Sequence, residues 1–434
     1  MTGAMYAAVA GLRAHMSALN VIGHNISNVN TNAYKSARYT FLESLYSTVR
    51  GGSNGSGQVG GKNPAQMGYG SSIGTIDLDM STKNFTPTGH ATDVMIDGDG
   101  FIMVGDKGKV FNSEEDVKGL YLTRHGDLAF GPDGYLTDGQ GNVVYGFLSV
   151  ENPVYTKVIE DNTDQTTGAV KIPPLPKDGL KEDDAGRYFM DNGELVQIVK
   201  EGDVLSKKVI DQYTPSPVLT AIRAPRAGTG ALTVTVPGDP GANPPVPDSK
   251  KALYSKGDPI YPHYDPVTGT IVDAPEDADV SGRIDLNSVS IDENTGRITC
   301  TTQNGKAVVI GTIAIAKVSN PNGVTHVNGR YYQALDGAGD MNVCSIGNSV
   351  LNSDDPDSPF YAPDAQGVAS RFKGEVGIRS GGTSKFVSGG LESSGTDLAS
   401  EISNMIMVQR GYQANTRIVT VTDSMLEELV NMKR

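Results

Sequence analysis

The chain has 434 residues, enough for about two to four domains, and its 53 glycines, 23 prolines and 6% aromatic residues favour a turn-rich, mostly β protein. A formal net charge of −14 argues against nucleic acid and anionic membrane as partners. Two cysteines cannot form a disulfide framework, and no apolar run is long enough for a transmembrane helix.

The first predicted element is an amphipathic helix over residues 3–28, about 39 Å long. Its apolar residues recur at alternating spacings of four and three at Met5, Val9, Leu12, Met16 and Leu19, and Gly23 and Ile26 continue the register. Such a seam is the pattern that packs against a partner helix. Five asparagines then fall within residues 20–32, and asparagine is a poor residue for a helix interior. The helix is therefore expected to end there.

The next segment is rich in glycine. Residues 51–62 predict a flexible linker or adaptable loop. Asn63 follows Gly61 and Lys62 where a phosphate-binding loop would need Ser or Thr, so that interpretation is rejected.

From residue 71 the chain alternates short apolar runs with Gly and Asp-Gly turns, which predicts strands and hairpins. The stretch "DGDGF" at 97–101 is interpreted as a hairpin turn, because its spacing does not fit a calcium loop.

The middle of the chain has a different composition. Residues 151–286 are rich in proline and hold 14 basic and 22 acidic residues, whereas residues 1–50 hold four basic residues and one acidic residue. We expect a separate β domain inserted into the preceding one, since the earlier style of strands returns at about residue 287.

The last predicted element is a long helix over residues 396–432, about 54 Å in length, with Asp397 or Thr396 as its N-cap. Seven of its residues fall on one seam: Leu398, Ile402, Met405, Tyr412, Val419, Leu426 and Val430. The two terminal helices are expected to pair, because a long apolar seam needs a partner. The C-terminal apolar face is too broad for one helix and suggests packing against other copies. Ordinary core helices of a globular domain remain an alternative.

No catalytic or cofactor-binding residues are predicted. The six histidines are scattered without paired metal-ligand spacing, and no serine lies in a nucleophile motif. We therefore expect neither an enzyme nor a bound metal or cofactor.

Both ends resemble the bacterial flagellar rod and hook family. The N-terminal text is "MYAAVAGLRAHMSALNVIGHNISNVNTNAYKSAR", and the C-terminal text is "GGLESSGTDLASEISNMIMVQRGYQANTRIVTVTDSMLEELVNMKR". "DVMIDGDGFIMV" and "LTRHGDLAFGPDGYLTDGQGNVVYG" resemble the β-domain motifs of the same family. The resemblance covers residues 1–148 and 287–434.

The resemblance implies a multidomain, mainly β fold with paired α-helical termini that form a coiled-coil core, and with β domains nested between them. The expected parts are residues 1–35 with 395–434 as the helical core, and 36–70 with 373–394 as a linker between subunits. Residues 71–150 with 287–372 would form the first β domain, and 151–286 the outer one.

Within this family, "GGKNPAQMGYG" at 60–70, "NGKAVVIGTIAIAKVSNPNGV" at 304–324 and the insertion resemble the hook subunit. That implies a flexible helical tube that transmits torque from rod to filament. A distal rod or hook–filament junction protein is the alternative within the family. A secreted β-rich binding module with coiled-coil ends is the alternative outside it.

The resemblance also implies partners and a location. Other copies of the chain, the distal rod protein, the hook cap and the junction proteins are expected partners, with no nucleic acid and no membrane insertion. The flagellar type III apparatus would export the chain to the cell exterior without signal cleavage. Phe41 and Leu45 resemble the short export signal that this apparatus reads, although a five-residue pattern is a weak signal. The amides of Asn25, Asn28 and Asn30 would satisfy helix-end carbonyls and bond to neighbouring subunits.

Overall fold

The structure is a computed structural model, and it describes most but not all of the chain. The described residues are 2–55, 60–108, 111, 117–152, 187–189, 195–201, 204–209, 211–229, 233–236, 249–252, 256–265, 270–272, 280–302, 305–348, 360 and 384–432. Much of the predicted outer domain and most of residues 349–383 therefore lie outside the described residues.

The chain divides into two units. Unit 1 comprises Met1–Phe85 and Glu392–Arg434, and unit 2 comprises Thr86–Leu391. Both ends of the chain thus belong to one unit. Residues 71–85 lie in unit 1, although the sequence placed them in the first β domain, and the four-part division stays a prediction.

Unit 1 contains two long helices, and they confirm the predicted elements at both ends. Helix α1 spans Thr2–Ser27 and helix α2 spans Leu398–Met432. Gly11 lies against Asn415, and Asn25 bonds to Glu401, so the residue order reverses between the two helices. The pair is antiparallel.

The predicted linker region of unit 1 contains strands. Strand β1 (Ala37–Glu43) pairs with β4 (Ser71–Leu78), and β2 (Tyr46–Arg50) pairs with β3 (Ala65–Gly68), both antiparallel. Most residues of these two-stranded sheets are exposed. The sequence predicted strands from residue 71 onward and a linker before it. The glycine-rich residues 51–62 between β2 and β3 gave no signal that these two strands pair.

The remaining strands follow in chain order. They are β5 (Phe85–Pro87), β6 (Val94–Asp97), β7 (Phe101–Gly105), β8 (Tyr121–Thr123), β9 (Leu128–Phe130), β10 (Leu136–Asp138), β11 (Val143–Glu151), β12 (Arg187–Phe189), β13 (Leu195–Glu201), β14 (Val204–Val209), β15 (Tyr213–Ala221), β16 (Arg226–Gly228) and β17 (Thr233–Val236). After them come β18 (Ser249–Ala252), β19 (Pro259–Ile260), β20 (His263–Asp265), β21 (Thr270–Val272), β22 (Val280–Arg283), β23 (Leu286–Ile291), β24 (Arg297–Thr302), β25 (Ala307–Val318), β26 (Thr325–Asn328), β27 (Tyr331–Gln333), β28 (Met341–Ser345), β29 (Lys385–Ser388) and β30 (Gly390–Glu392).

The core of unit 2 lies on a 12-stranded sheet in which β25 is the longest strand. It pairs antiparallel with β24, β11, β7 and β28. Ile102, Val144, Ile313 and Phe386 are fully buried in one apolar cluster. Their apolar, β-branched and aromatic character fits strands covered on both faces.

A strand from the predicted outer domain joins this same sheet. Strand β15 pairs with β11, and Ile222 and Tyr261 belong to the core cluster of unit 2. Val218 and Tyr264 lie in a second, smaller apolar cluster with Val150 and Phe360. The separate outer domain stays a prediction.

The two cysteines cannot bond to each other within one chain. Cys300 lies opposite Val308 of β25, and Cys344 lies opposite Ile315 of the same strand. Seven residues of β-strand separate them by about 23 Å, and a disulfide requires Cα atoms within about 7 Å. Both cysteines are buried, and burial raises the pKa of Cys300 to about 11.

Candidate assembly surface

The end of α1 is held by a buried asparagine. The side-chain Nδ2 of Asn25 donates to the Ala37 carbonyl and to Glu401 Oε1, each at 2.8 Å. Its Oδ1 accepts from the Ala37 N–H at 3.0 Å and from the Tyr34 hydroxyl at 2.9 Å. All four hydrogen-bonding positions of the amide are occupied, and no apolar or charged side chain offers this combination. Asn25 therefore joins α1, β1 and α2 inside one molecule.

The other predicted asparagines lie at the surface of this joint. The Asn28 Nδ2 donates to the His24 carbonyl at 2.9 Å, which caps the last turn of α1 as expected. Asn30 is exposed. Bonds from either of them to a neighbouring subunit stay a prediction.

A second buried contact, between Lys35 and Glu392, joins distant segments of unit 1. The Lys35 ammonium lies 2.7 Å from Glu392 Oε1 and donates to the Ser81 carbonyl at 2.9 Å, and both charged side chains are buried. The N–H of Lys83 donates to the same Glu392 oxygen at 2.8 Å. This pair connects the segment after α1 to the strand before α2. Sequence reasoning missed it, because 357 residues separate the partners.

Small residues of α1 face α2. Ala8, Gly11, Ala14 and Ala18 are buried with Ile22, whereas the predicted seam lies one position further along the helix. Gly11 makes room for the Asn415 amide, and Gly411 makes room for the His15 ring. The close contact of the two helices depends on the missing side chains at these two glycines.

The predicted seam of α1 lies partly against the strands and partly in solvent. Leu19 and Ile26 pack against the cluster of Ala18, Ile22 and Val408, as do Tyr39 of β1 and Ile73 of β4. Val9 and Leu12 are half-buried, and Met5 and Met16 are exposed. The positions of α1 that are buried at the helix pair are thus mainly alanine and glycine, which permit closer packing than the larger residues beside them. Packing of the seam between subunits stays a prediction.

The predicted residues of α2 divide in the same way. Met405 packs against Ala18, Ile22 and Val408 at the helix pair, and Val419 and Leu426 are half-buried. Four others are exposed large apolar residues: Leu398, Ile402, Tyr412 and Val430.

A further apolar row on α2, which we call the exposed stripe, has no covering within the described residues of unit 1. Its members are Met407, Ala414, Ile418 and Val421, and all are exposed. Together with Gly411, which lies against His15 of α1, they follow heptad spacing and so lie along one side of the helix. The sequence contains this spacing, and a broad C-terminal apolar face was expected, but only the structure separates the side facing α1 from the side facing outward.

The start of α2 is capped by Asp397. Its carboxylate accepts from the Ser400 hydroxyl at 2.7 Å and from the Ala399 N–H at 3.0 Å, as one of the two predicted N-caps should. These hydrogen bonds, led by the one from the Ser400 hydroxyl, lower the pKa of Asp397. Burial and then the Glu401 carboxylate raise the pKa of Tyr34 to about 12, so its hydroxyl remains a donor to Asn25.

The export-pattern residues are both exposed, Phe41 in β1 and Leu45 just after it. Among the described residues no group of histidine, cysteine and acidic side chains could hold a metal ion, and no described helix is apolar and long enough to cross a membrane.

Comparison with known proteins gives matches over the whole chain. The family model for the C-terminal part of flagellar basal body rod FlgEFG proteins matches residues 387–432, which include all of α2. The flagellar hook protein FlgE of Borreliella burgdorferi is 26% identical over 463 residues, covering 100% of both chains. The basal-body rod protein FlgG of Bacillus subtilis is 25% identical over 434 residues, also covering 100% of both. The hook protein FlgE of Salmonella typhimurium is 26% identical over 449 residues, covering 98% of this chain and 99% of that protein.

Proposed function

We propose that the chain is a member of the flagellar hook and rod family and that it is the structural subunit of the bacterial flagellar hook. In this role it polymerises into a flexible helical tube that transmits torque from the rod to the filament. The observation that carries the proposal is the exposed stripe on α2, which presents a heptad-spaced apolar surface where the family model matches. Similarity to hook proteins over the full length supports it.

A structural role, and not catalysis, fits the relatives. They are named as hook and rod proteins, none of them as an enzyme. The polar side chains buried in unit 1, such as Asn25 and Lys35, are occupied by hydrogen bonds that join elements of the fold. These residues hold a subunit together for mechanical load.

The finer architecture is part of the proposal. The antiparallel pair of α1 and α2 forms a coiled-coil core of the tube, and the β domains nest outside it. Packing between subunits uses the exposed members of the predicted set, among them Met5, Met16, Ile402 and Val430. Buried members such as Asn25 position the helices that carry this surface.

The proposed partners follow from this role. Copies of the chain bind each other, the distal rod protein and the junction proteins adjoin the two ends of the tube, and the hook cap assists assembly. The flagellar type III apparatus exports the chain, so the polymer lies outside the cell in the flagellum. Phe41 and Leu45, the residues of the proposed export pattern, are exposed in the folded chain.

Electron cryo-microscopy of tubes assembled from this chain tests the proposal. Curved tubes whose subunits change their spacing around the circumference are expected for a hook. Straight rigid tubes would instead indicate a distal rod segment, which the similarity to a basal-body rod protein keeps as the second candidate. A purified chain that stays monomeric under all assembly conditions would favour the secreted binding module.

A further inference from the structure

Helix α2 extends beyond its partner helix. Gly11 lies against Asn415 and His15 lies against Gly411, so residue numbers on the two helices add to a constant along the pair. Continued in this register, Thr2, the first residue of α1, lies opposite residue 424. We call residues 425–432 the overhang; it is eight residues and about 12 Å of helix without α1 beside it.

The overhang is apolar over a wide arc and acidic at both edges of that arc. Met425, Leu429, Val430 and Met432 are exposed, and Leu426 is half-buried. Glu427 and Glu428 border the arc on either side by helical geometry. An isolated apolar helix end of this kind is costly in water unless another chain covers it.

The exposed stripe further back on α2 has the opposite charge beside it. Arg410 and Arg417 are seven residues apart and directly precede Gly411 and Ile418, so they flank the stripe at one edge. The described part of α2 has no acidic residue between Glu401 and Asp423. Helix α1 has none along its length. The middle of the helix pair is therefore basic, with Arg13 on α1 adding to it.

We propose that the overhang of one copy binds the exposed stripe of a second copy, so that one acidic edge of the overhang, Glu427 or Glu428, faces Arg410 and Arg417. The two surfaces are both apolar, opposite in charge, and located at different points of the same helix. Opposite charges across such an interface fix its register and exclude wrong pairings. This inference rests on the proposed function and specifies which surfaces meet.

The contact is heterologous, because each copy uses its overhang to bind one neighbour and its exposed stripe to bind another. A heterologous contact that does not close on itself generates an open helical series of subunits. The acidic pair and the basic pair are about 14 residues apart along α2, which staggers neighbouring helices by about 20 Å if they run in the same direction. Image reconstruction of the tube measures that stagger directly.

Charge reversal tests the contact in cells whose hooks consist only of this chain. One variant combines Glu427→Arg with Glu428→Arg, a second combines Arg410→Glu with Arg417→Glu, and a third carries all four changes. Asp336→Arg with Asp340→Arg, at exposed positions of unit 2, is the matched control. Hooks per cell are counted by electron microscopy, and exported subunits left unassembled are quantified.

We expect each double reversal to lower the number of hooks about tenfold or more, since like charges would meet across the interface. The fourfold variant should return to within about threefold of the unmodified chain, because opposite charges face each other again. Reduction without rescue, or normal assembly of both double reversals, would overturn the inference and leave the proposed hook role intact. Failure of the unmodified chain to form any hook would contradict that role itself.

Disulfide trapping gives a second measurement that does not depend on charge. Val430→Cys with Ile418→Cys should produce linked dimers in assembled tubes, and Val430→Cys with Ile402→Cys should not. The native Cys300 and Cys344 are buried and do not compete. Linkage to residue 402 alone would overturn the proposed register.

Discussion

Lys35 is the residue whose replacement should damage unit 1 most. Lys35→Met leaves the carboxylate of Glu392 buried without the ammonium that lies 2.7 Å away. Removing one partner of a buried ion pair typically costs about 3–5 kcal/mol in the free energy of unfolding. We expect a loss of that order in urea denaturation followed by helical circular dichroism.

Lys83→Met is the matched control. Lys83 pairs with Asp79 at 2.6 Å, but both side chains are partly exposed, and such pairs contribute about 1 kcal/mol or less. Equal losses for the two variants would show that burial of the Lys35 pair does not matter.

Ala33 holds a backbone conformation that favours glycine. Its φ is 57°, and no other non-glycine residue in the described ranges has a positive φ. The conformation is kept because the Ala33 N–H donates to the Glu392 carbonyl at 2.8 Å. A left-handed conformation costs an alanine about 1–2 kcal/mol. Ala33→Gly should therefore raise the free energy of unfolding of unit 1 by about 1 kcal/mol.

The same denaturation experiment measures this gain, and Ala37→Gly in β1 is the control. Glycine in a strand interior destabilises by about 0.5–1 kcal/mol relative to alanine. If both substitutions destabilised the chain, the strain at Ala33 would be absent in solution.

At the scale of the element, the N-cap makes the first turn of α2 sensitive to acid. The pKa of Asp397 is lowered in the folded chain, so its contribution is present above the ordinary range near 4 and is lost as the pH falls through the lowered value. We expect NMR shifts of Ala399 and Ser400 to move from helical toward unstructured values below about pH 4.

Asp397→Asn keeps the hydrogen-bond acceptor and removes the titration. In that variant the shifts of the first turn should not change with pH, while the middle of α2, for example Val408, should be unaffected in both proteins. Identical pH profiles for the two chains would exclude Asp397 as the titrating group.

Two glycines of the helix pair should respond in opposite ways to alanine. A Cβ at Gly411 would lie 2.7 Å from the His15 ring, whereas a Cβ at Gly23 would meet nothing within 4 Å. Gly23→Ala should stabilise the helix by up to about 1 kcal/mol. Gly411→Ala should destabilise the pair by about 1–3 kcal/mol, the usual cost of overpacking. Denaturant midpoints measure both, and a gain at each position would contradict the close fit at Gly411.

At the scale of the whole molecule, the sequence predicted both terminal helices and their pairing, because periodic apolar residues and caps are local signals. It did not predict which side of α1 faces α2. Ala8, Gly11 and Ala18 carry little hydrophobic signal, and they contribute by letting the two helices pack closely. Contacts such as Asn25 with Glu401 and Lys35 with Glu392 could not be predicted, because nothing local links residues so far apart. The order of the strands in the sheet of unit 2 could not be predicted for the same reason.

Hydrogen exchange on the isolated chain and on the assembled tube should show where the molecule is incomplete. In the isolated chain, strands β7, β11 and β25 are covered on both sides by the core of unit 2 and should exchange slowly. Helices α1 and α2 bury only a narrow row against each other, so local opening should require far less free energy. Assembly should slow exchange strongly in both helices, and most in residues 425–432, which extend beyond the end of α1. Terminal helices that are already as protected as β25 in dilute monomer would mean that the apolar surface of unit 1 does not need a second copy.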